Sequence, residues 1–399
     1  MTELNENVIF VRGAKNGAIY DLGKGKVYRV NADAVTVIER LASGIPAASP
    51  AEKEYVGKLT QNGLLSPDRA PRAFEHEKNE VMRPRFAWLE LTERCNLRCV
   101  HCYEGECHDA PHELSFDKWR SVLDELKAAG FPRIQLTGGE LFMRRDAKAL
   151  MAHAADLGFE ELTVFTNATL PDDETTDLLA ALGVKVRFSL YGGSAEVHEA
   201  VTRVRGSFEK TVSNVKKMKA KGIDVSPAVV IMRDNQGDVE NIARLVRELG
   251  LPWTGYDVIR NVRGGTQCGY MPTDPAVSRS CDRTRPYFTT SREKFMRALD
   301  ANTCWYGKIA VDAAGRVMPC VFARDVTLGD LSAMSVKELL ESPELKKHWY
   351  FDYSEVETCR DCEYRFACKD CRPLAMASSG DMHAKNPRCR YDPYKGEWE

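Results

Sequence analysis

Among the 399 residues no apolar run comes near the roughly 18–20 that a membrane span requires. The opening Met1-Thr-Glu-Leu-Asn-Glu6 has neither the basic start nor the apolar stretch of a secretory signal. Charge of one sign is scarce as well: 56 Lys and Arg against 58 Asp and Glu leave a formal net charge of −2. That balance gives no pull toward nucleic acid or anionic lipid. Short basic runs such as Lys216-Lys217-Met218-Lys219 read as the solvated face of a helix. No low-complexity segment and no fixed-period repeat is visible, which excludes disordered tracts and solenoids. The expectation is a cytoplasmic protein with no membrane and no nucleic-acid partner.

What is present is an ordinary globular composition, 43% hydrophobic and 29% charged, in a chain long enough for two or three domains. Cysteine is the unusual element. Thirteen are an odd number and too many for structural disulfides in a reducing compartment, and their tight spacings point to metal ligation.

Residues 1–72 read as a winged-helix-like module. Asn7–Arg12, Gly17–Leu22 and Lys26–Val30 look like short strands separated by turn residues. Asn31 caps a helix expected over 32–42 and ended by Gly44, and a second helix follows from about Pro50 to Asn62. The polar, proline-bearing stretch from Pro67 to Pro84 reads as a linker.

Over 85–275 the rhythm changes. Six apolar runs, Phe86–Leu91, Ile134–Leu136, Leu162–Phe165, Val184–Leu190, Val225–Met232 and Thr254–Ile259, alternate with helical patterns. The fold class this predicts is α/β, a partial (β/α)6 TIM barrel, with too few units to close an eightfold one. Chemistry in such folds gathers at the C-terminal ends of the strands. Residues 276–399 read as a loop-rich domain, and eight of the thirteen cysteines fall within Cys281–Cys389.

Cys95, Cys99 and Cys102 follow the first strand with C-x3-C-x2-C spacing. Three close thiolates can hold three irons of a four-iron cube and leave the fourth open to a ligand. No histidine or cysteine completes a zinc site there at standard spacing except His101 and Cys107. After the second strand comes Leu136-Thr-Gly138-Gly139-Glu140. Paired glycines let backbone approach a ligand closely, and a carboxylate can receive an ammonium. Asn167 ends the third strand and Ser189 nearly ends the fourth; capping and turn formation are the plainer roles for both. Arg203 lies in the loop text Val201-Thr-Arg-Val-Arg-Gly. Near the C-terminus stand Cys304, Gly315 and Cys320, then Cys359-x2-Cys362-x5-Cys368-x2-Cys371, and finally Cys389. Zinc-ribbon pairs stand much farther apart than Cys362 and Cys368 do.

The segment from Cys95 through Asn96-Leu-Arg-Cys-Val-His-Cys to Tyr103 resembles the radical S-adenosylmethionine (AdoMet) superfamily. The resemblance implies that AdoMet chelates the open iron and is cleaved by one electron to methionine and a 5′-deoxyadenosyl radical, which abstracts hydrogen from substrate. It implies AdoMet contacts from Gly138, Gly139 and Glu140, and from Asn167 and Ser189, with Arg203 a partner for the AdoMet carboxylate. The family more often has Gly where Ala168 stands.

The C-terminal cysteines resemble the SPASM extension of enzymes in that superfamily that modify peptides and proteins. By that resemblance Cys359, Cys362, Cys368 and Cys389 hold one auxiliary cluster, and Cys304, Cys320 and Cys371 contribute to another, for three [4Fe–4S] clusters in all. A cysteine usual shortly before the position of Cys304 is missing, so Cys281, Cys268, Asp300 or an open iron completes the nearer cluster, with Cys281 the first choice. The family usually spaces its last cysteine pair by three residues rather than the two between Cys368 and Cys371. Cys107 is a candidate hydrogen donor, though a free buried thiol is the plainer state.

The N-terminal module resembles the peptide-recognition domain of ribosomal-peptide maturation systems, which adds a leader peptide to its sheet as an extra strand. Its mixed charge argues against the DNA-binding use of a winged helix. Together the resemblances imply a peptide maturase, fed electrons by a flavodoxin or ferredoxin, that crosslinks a precursor peptide and passes the second electron to an auxiliary cluster. Oxidation of a Cys or Ser in a protein, as in sulfatase maturation, peptide epimerisation, and a non-enzymatic electron carrier or peptide binder are the competing expectations.

Overall fold

Val8-Ile-Phe-Val11 is apolar at four consecutive positions, which a strand tolerates only when both faces are covered. The computed structural model, which describes residues 1–78, 81, 83–103, 112–260, 268–280 and 289–398, shows two layers doing so. Two compact units are present: Met1–Val81 with Asp282–Cys304 and Tyr350–Glu399, and Met82–Cys281 with Trp305–Trp349. The division is not one of three consecutive segments, because the C-terminal segment contributes to both units.

In the first unit, strands β1 (Thr2–Asn5), β2 (Val8–Arg12), β3 (Gly17–Asp21) and β4 (Lys26–Val30) form an antiparallel sheet, closed at its far edge by the two-residue β5 (Arg72–Ala73) in the order β4-β3-β2-β1-β5. Side chains alternate between its faces. Val8, Phe10 and Ile19 pack with Val35, Ile38 and Leu59 of helices α1 (Ala32–Ala42) and α2 (Pro50–Gln61). Asn31 caps α1 by accepting the Ala34 N–H, and a Ser49–Glu52 capping box starts α2. Ile9, Val11, Ala18 and Tyr20 point the other way, into a core with Phe295, Tyr364, Phe366 and Tyr391. Burying each of the larger aliphatic and Phe side chains contributes roughly 1.5–3 kcal/mol.

The second unit is built on six parallel strands in sequential order: β6 (Phe86–Glu90), β7 (Arg133–Thr137), β8 (Glu161–Thr166), β9 (Lys185–Leu190), β10 (Val225–Ile231) and β11 (Asp257–Val258). Helices α3 (Phe116–Ala128), α4 (Ala147–Asp156), α5 (Asp173–Ala181), α6 (Ala195–Thr202), α7 (Ser207–Ala220) and α8 (Val239–Glu248) occupy the crossovers. This is the expected open barrel. It extends further than expected: β12 (Lys308–Val311), from a segment read as loop, pairs in parallel with β6, and β13 (Arg316–Met318) and β14 (Gly329–Asp330) follow antiparallel. No helix among the described residues is long and apolar enough to cross a membrane.

Candidate functional site

Strand β6 ends at Glu90, and the chain turns through Thr92 into the Cys95–Cys102 loop. Two neighbours fix that loop by backbone hydrogen bonds. Arg98 N–H donates to Thr202 O and Val100 N–H to Val201 O, both at 3.0 Å, which ties the loop to the end of α6. On its other side the Gly139 N–H donates to Thr92 O and the Glu140 N–H to Arg94 O, both at 2.8 Å. The need for two glycines follows from this approach. A Cβ at residue 138 would sit 2.3 Å from Thr92 O, and one at residue 139 would sit 2.5 Å from Glu93 O. Gly138 also has φ of +150°.

Cys95, Cys99 and Cys102 line a cavity of about 710 Å³ together with Gly138, Gly139, Asn167, Ser189 and Arg203. That volume suits a cofactor-sized ligand. All the residues expected there from sequence therefore share one space, except Glu140. Its carboxylate is buried and turned to the end of β8, where it accepts Thr166 Oγ1–H and the Asn167 N–H at 2.7 Å each, and the Phe142 N–H at 3.2 Å. Burial pushes its pKa up, and those hydrogen bonds oppose the shift. Glu140 is a brace for the cavity wall rather than part of the lining.

Asn167 is the hub of that wall. Its Nδ2 donates to Asn96 Oδ1 at 2.9 Å and stands 3.9 Å from Cys95 Sγ, while its Oδ1 accepts the Thr169 hydroxyl and backbone N–H. The next residue, Ala168, is held at φ of +59°. Arg203 is also left-handed, with φ of +56°, as the cap that ends α6. Left-handed residues commonly end helices, and away from glycine the conformation costs roughly 1–2 kcal/mol.

Among the further lining residues are His101 and Tyr103, which the sequence reading named without a role in the cavity, and Tyr191, which it did not name. His101 packs edge-to-face on Tyr191, with ring centroids 4.7 Å apart, and burial pushes its pKa down to about 4. Tyr103 donates to Glu90 Oε1 at 3.1 Å, and the buried Arg324 donates to the same oxygen at 2.7 Å. For His101 and Tyr103 the available signal was an aromatic ring flanking Cys102 in sequence; Tyr191 gave none beyond its place just after β9.

Burial holds two of these thiols protonated: Cys95 is pushed up to about 11 and Cys99 higher still, with the neighbouring Cys102 adding to both shifts. Ligation would need a cationic centre to displace those protons.

In the first unit Cys359, Cys362, Cys368 and Cys389 line a single second cavity, beside Asp370, Lys385 and Asn386. Burial pushes Cys359 to about 12 and Cys362 and Cys368 further. Four thiols around one enclosed space are the donor set of a fully ligated iron–sulfur cube. Among the described residues no three or more His, Cys, Asp or Glu side chains are gathered closely enough to hold a single metal ion. The fit to clusters therefore rests on the shared cavities and the thiol donors.

Cys304 and Cys371 also belong to the first unit, and Cys304 Sγ accepts the Arg372 N–H at 3.4 Å, whereas Cys320 lies in the second unit. Asp300 Oδ1 is 2.6 Å from His76 Nε2. Cys107 and Cys281 lie outside the described residues, as does the side chain of Cys268.

A barrel whose first strand delivers three thiols to a ligand-sized cavity defines the class. The family model described as the Radical SAM superfamily matches residues 89–246, and the chain belongs to that superfamily. It is a radical AdoMet enzyme with a SPASM extension, the iron-sulfur cluster-binding domain matched over residues 304–363, and as such it binds AdoMet and iron–sulfur clusters.

Its relatives include the antilisterial bacteriocin subtilosin biosynthesis protein AlbA of Bacillus subtilis, 27% identical over 322 residues, 77% of this chain and 71% of AlbA. An AdoMet-dependent heme synthase of Methanosarcina barkeri is 25% identical over 78% of this chain and 98% of its own length. Among solved structures, Streptococcus suis SuiB bound to its precursor peptide SuiA shares the fold, with a TM-score of 0.62, 14% identity, and coverage of 98% of this chain and 100% of SuiB.

Proposed function

We propose that this enzyme is a radical AdoMet/SPASM maturase that binds the leader of a ribosomally synthesised precursor peptide and crosslinks its core. Cys95, Cys99 and Cys102 would hold the AdoMet-binding cluster. Cys359, Cys362, Cys368 and Cys389 would hold one auxiliary cluster, and Cys304, Cys320 and Cys371, completed by Cys281, a third. When bound, the first cluster and AdoMet supply a 5′-deoxyadenosyl radical as hydrogen-abstracting agent.

The chain's own residues do the positioning. Arg203 offers a guanidinium to the AdoMet carboxylate, the backbone at Gly138 and Gly139 admits the methionyl group, and Asn167 and Ser189 supply polar contacts. His101 stays neutral and presents an apolar edge with Tyr191 that keeps water away. The N-terminal sheet is the seat for the leader, which would add along the outer edge of β4 beyond Lys26, the residue that already bridges Thr289. A flavodoxin or ferredoxin would donate the electron, in the cytoplasm.

One observation carries this reading: the cysteine loop, the glycine pair, Asn167, Ser189 and Arg203 face one cavity of about 710 Å³, a volume that takes a cofactor-sized ligand. The relatives AlbA and SuiB support a peptide as the further occupant. A second reading, heme-precursor modification, draws on the match along 98% of a heme synthase. Anaerobic incubation of the reduced enzyme with AdoMet and the short peptides encoded beside its gene decides between them. Loss of two hydrogen atoms from a peptide, seen by mass spectrometry, supports crosslinking. Turnover of an iron porphyrin with every peptide inert would support the second reading.

A further inference from the structure

The second face of the N-terminal sheet is covered by residues that the cysteine loops carry. Cys362 and Cys368 bracket five residues, and two of these, Tyr364 and Phe366, enter the core formed by Ile9, Val11, Ala18 and Tyr20, with Cys362 and Cys389 packed against it. Phe366 sets its ring edge-on to Tyr20, with centroids 6.4 Å apart, and to Phe295, 5.3 Å apart.

Polar contacts lock the same surfaces. Tyr20 Oη donates to Glu363 O at 2.8 Å, the Ala14 N–H donates to Asp361 O at 2.8 Å, and Arg365 Nη1 donates to Arg12 O at 3.2 Å. Gly13 comes so near that a Cβ there would lie 2.5 Å from Glu363 Oε2. Between Phe351 and Cys371 the only regular element is the single 3-10 turn Cys359–Asp361. Within this segment the backbone hydrogen bonds are isolated turns, such as Cys362 N–H to Cys359 O and Ala367 N–H to Tyr364 O. A metal centre adds order to such a segment because binding free energy becomes folding free energy.

We propose that the cluster at Cys359, Cys362, Cys368 and Cys389 is a clamp for the N-terminal sheet: ligation closes the 362–368 loop, which seats Tyr364 and Phe366 against β2 and β3. The inference rests on the reading above that these four thiols hold a cluster. Cluster and sheet then stabilise each other, because coupling between sites is reciprocal. If the sheet seats the leader, leader affinity inherits the dependence, so a maturase that has lost this cluster loses its grip on the peptide even with an intact AdoMet site.

The test is amide hydrogen exchange on the full-length, anaerobically reconstituted protein, native against Cys389→Ser. The expected result is loss of about four irons with exchange in residues 8–21 accelerated about tenfold, while β7–β9 exchange as in the native protein. Unchanged exchange in residues 8–21 after that iron is lost overturns the clamp. Full iron retention in Cys389→Ser overturns the cluster assignment beneath it.

Should Cys389→Ser fail to fold, the reverse direction is read on Gly13→Ala, which leaves every cysteine in place. Iron release to a chelator from one four-iron phase should quicken about tenfold. Release at the native rate from a variant whose β2–β3 exchange has risen overturns the proposal. None of these readouts uses a peptide, so a failure of leader binding is recorded separately by peptide titration.

Discussion

Glu140 Oε2 accepts the backbone N–H of Asn167 at 2.7 Å, and the same side chain takes the Thr166 hydroxyl through Oε1. The carboxylate is thus committed to the end of β8, the segment that carries Asn167 toward Cys95 and Asn96. Glu140→Ala leaves a buried N–H and hydroxyl without their acceptor. It should lower stability to urea by about 2–3 kcal/mol. A carboxylate whose only task was to grip the AdoMet ammonium would leave the urea midpoint unmoved and weaken AdoMet binding alone.

Ala168 occupies the left-handed region, where an L side chain costs roughly 1–2 kcal/mol relative to glycine. Ala168→Gly should therefore stabilise the enzyme by about 1 kcal/mol, after glycine's larger unfolded-state entropy is subtracted. Thermal unfolding of the two proteins side by side checks this. A lower midpoint for the glycine variant would mean that residue 168 is not strained.

His198 is buried on α6. Its Nδ1 accepts the Tyr191 N–H at 3.3 Å, and burial pushes its pKa from 6.5 down to about 4. Below pH 6.5 the unfolded chain takes up a proton that the folded chain refuses, so stability falls as the pH drops from about 6.5 to about 4. Between pH 7 and 5.5 this group alone should remove about 1 kcal/mol. His198→Gln should flatten the slope over that interval by about the same amount in denaturant titrations. An unaltered slope would mean that His198 protonates freely in the fold.

The alternation that makes the barrel was legible because each strand is an apolar run between helical periodicities, and the cysteine loop because thiol spacing survives without any knowledge of the fold. What escaped was non-local or polar. Strand β1 is Thr2-Glu-Leu-Asn5, with a single apolar residue, and becomes a strand only by pairing with β2 and β5. Strand β12 pairs with β6 across more than two hundred residues, a relation no local pattern encodes. The motif text around Glu140 identified the residue but not where its carboxylate points. The unbroken Val8–Val11 run, read only as a short strand, is buried on both faces, and that is the local trace of the second layer the N-terminal module packs against.

Replacing Cys95, Cys99 and Cys102 together with alanine should lower the iron content from about twelve to about eight per chain. The auxiliary iron should stay, because its expected ligands are other cysteines, none of them substituted, and four of these line a cavity of their own. Iron analysis and Mössbauer spectra of the variant check this. Loss of all iron at once would contradict separate sites.

The most direct measurement is product analysis after anaerobic incubation of the iron-loaded enzyme with AdoMet and dithionite. The account predicts 5′-deoxyadenosine and methionine from the native protein, and neither from the Cys95/Cys99/Cys102 variant. Iron-replete native protein that leaves AdoMet intact would contradict the claim that three thiols hold a cluster open to AdoMet in this cavity.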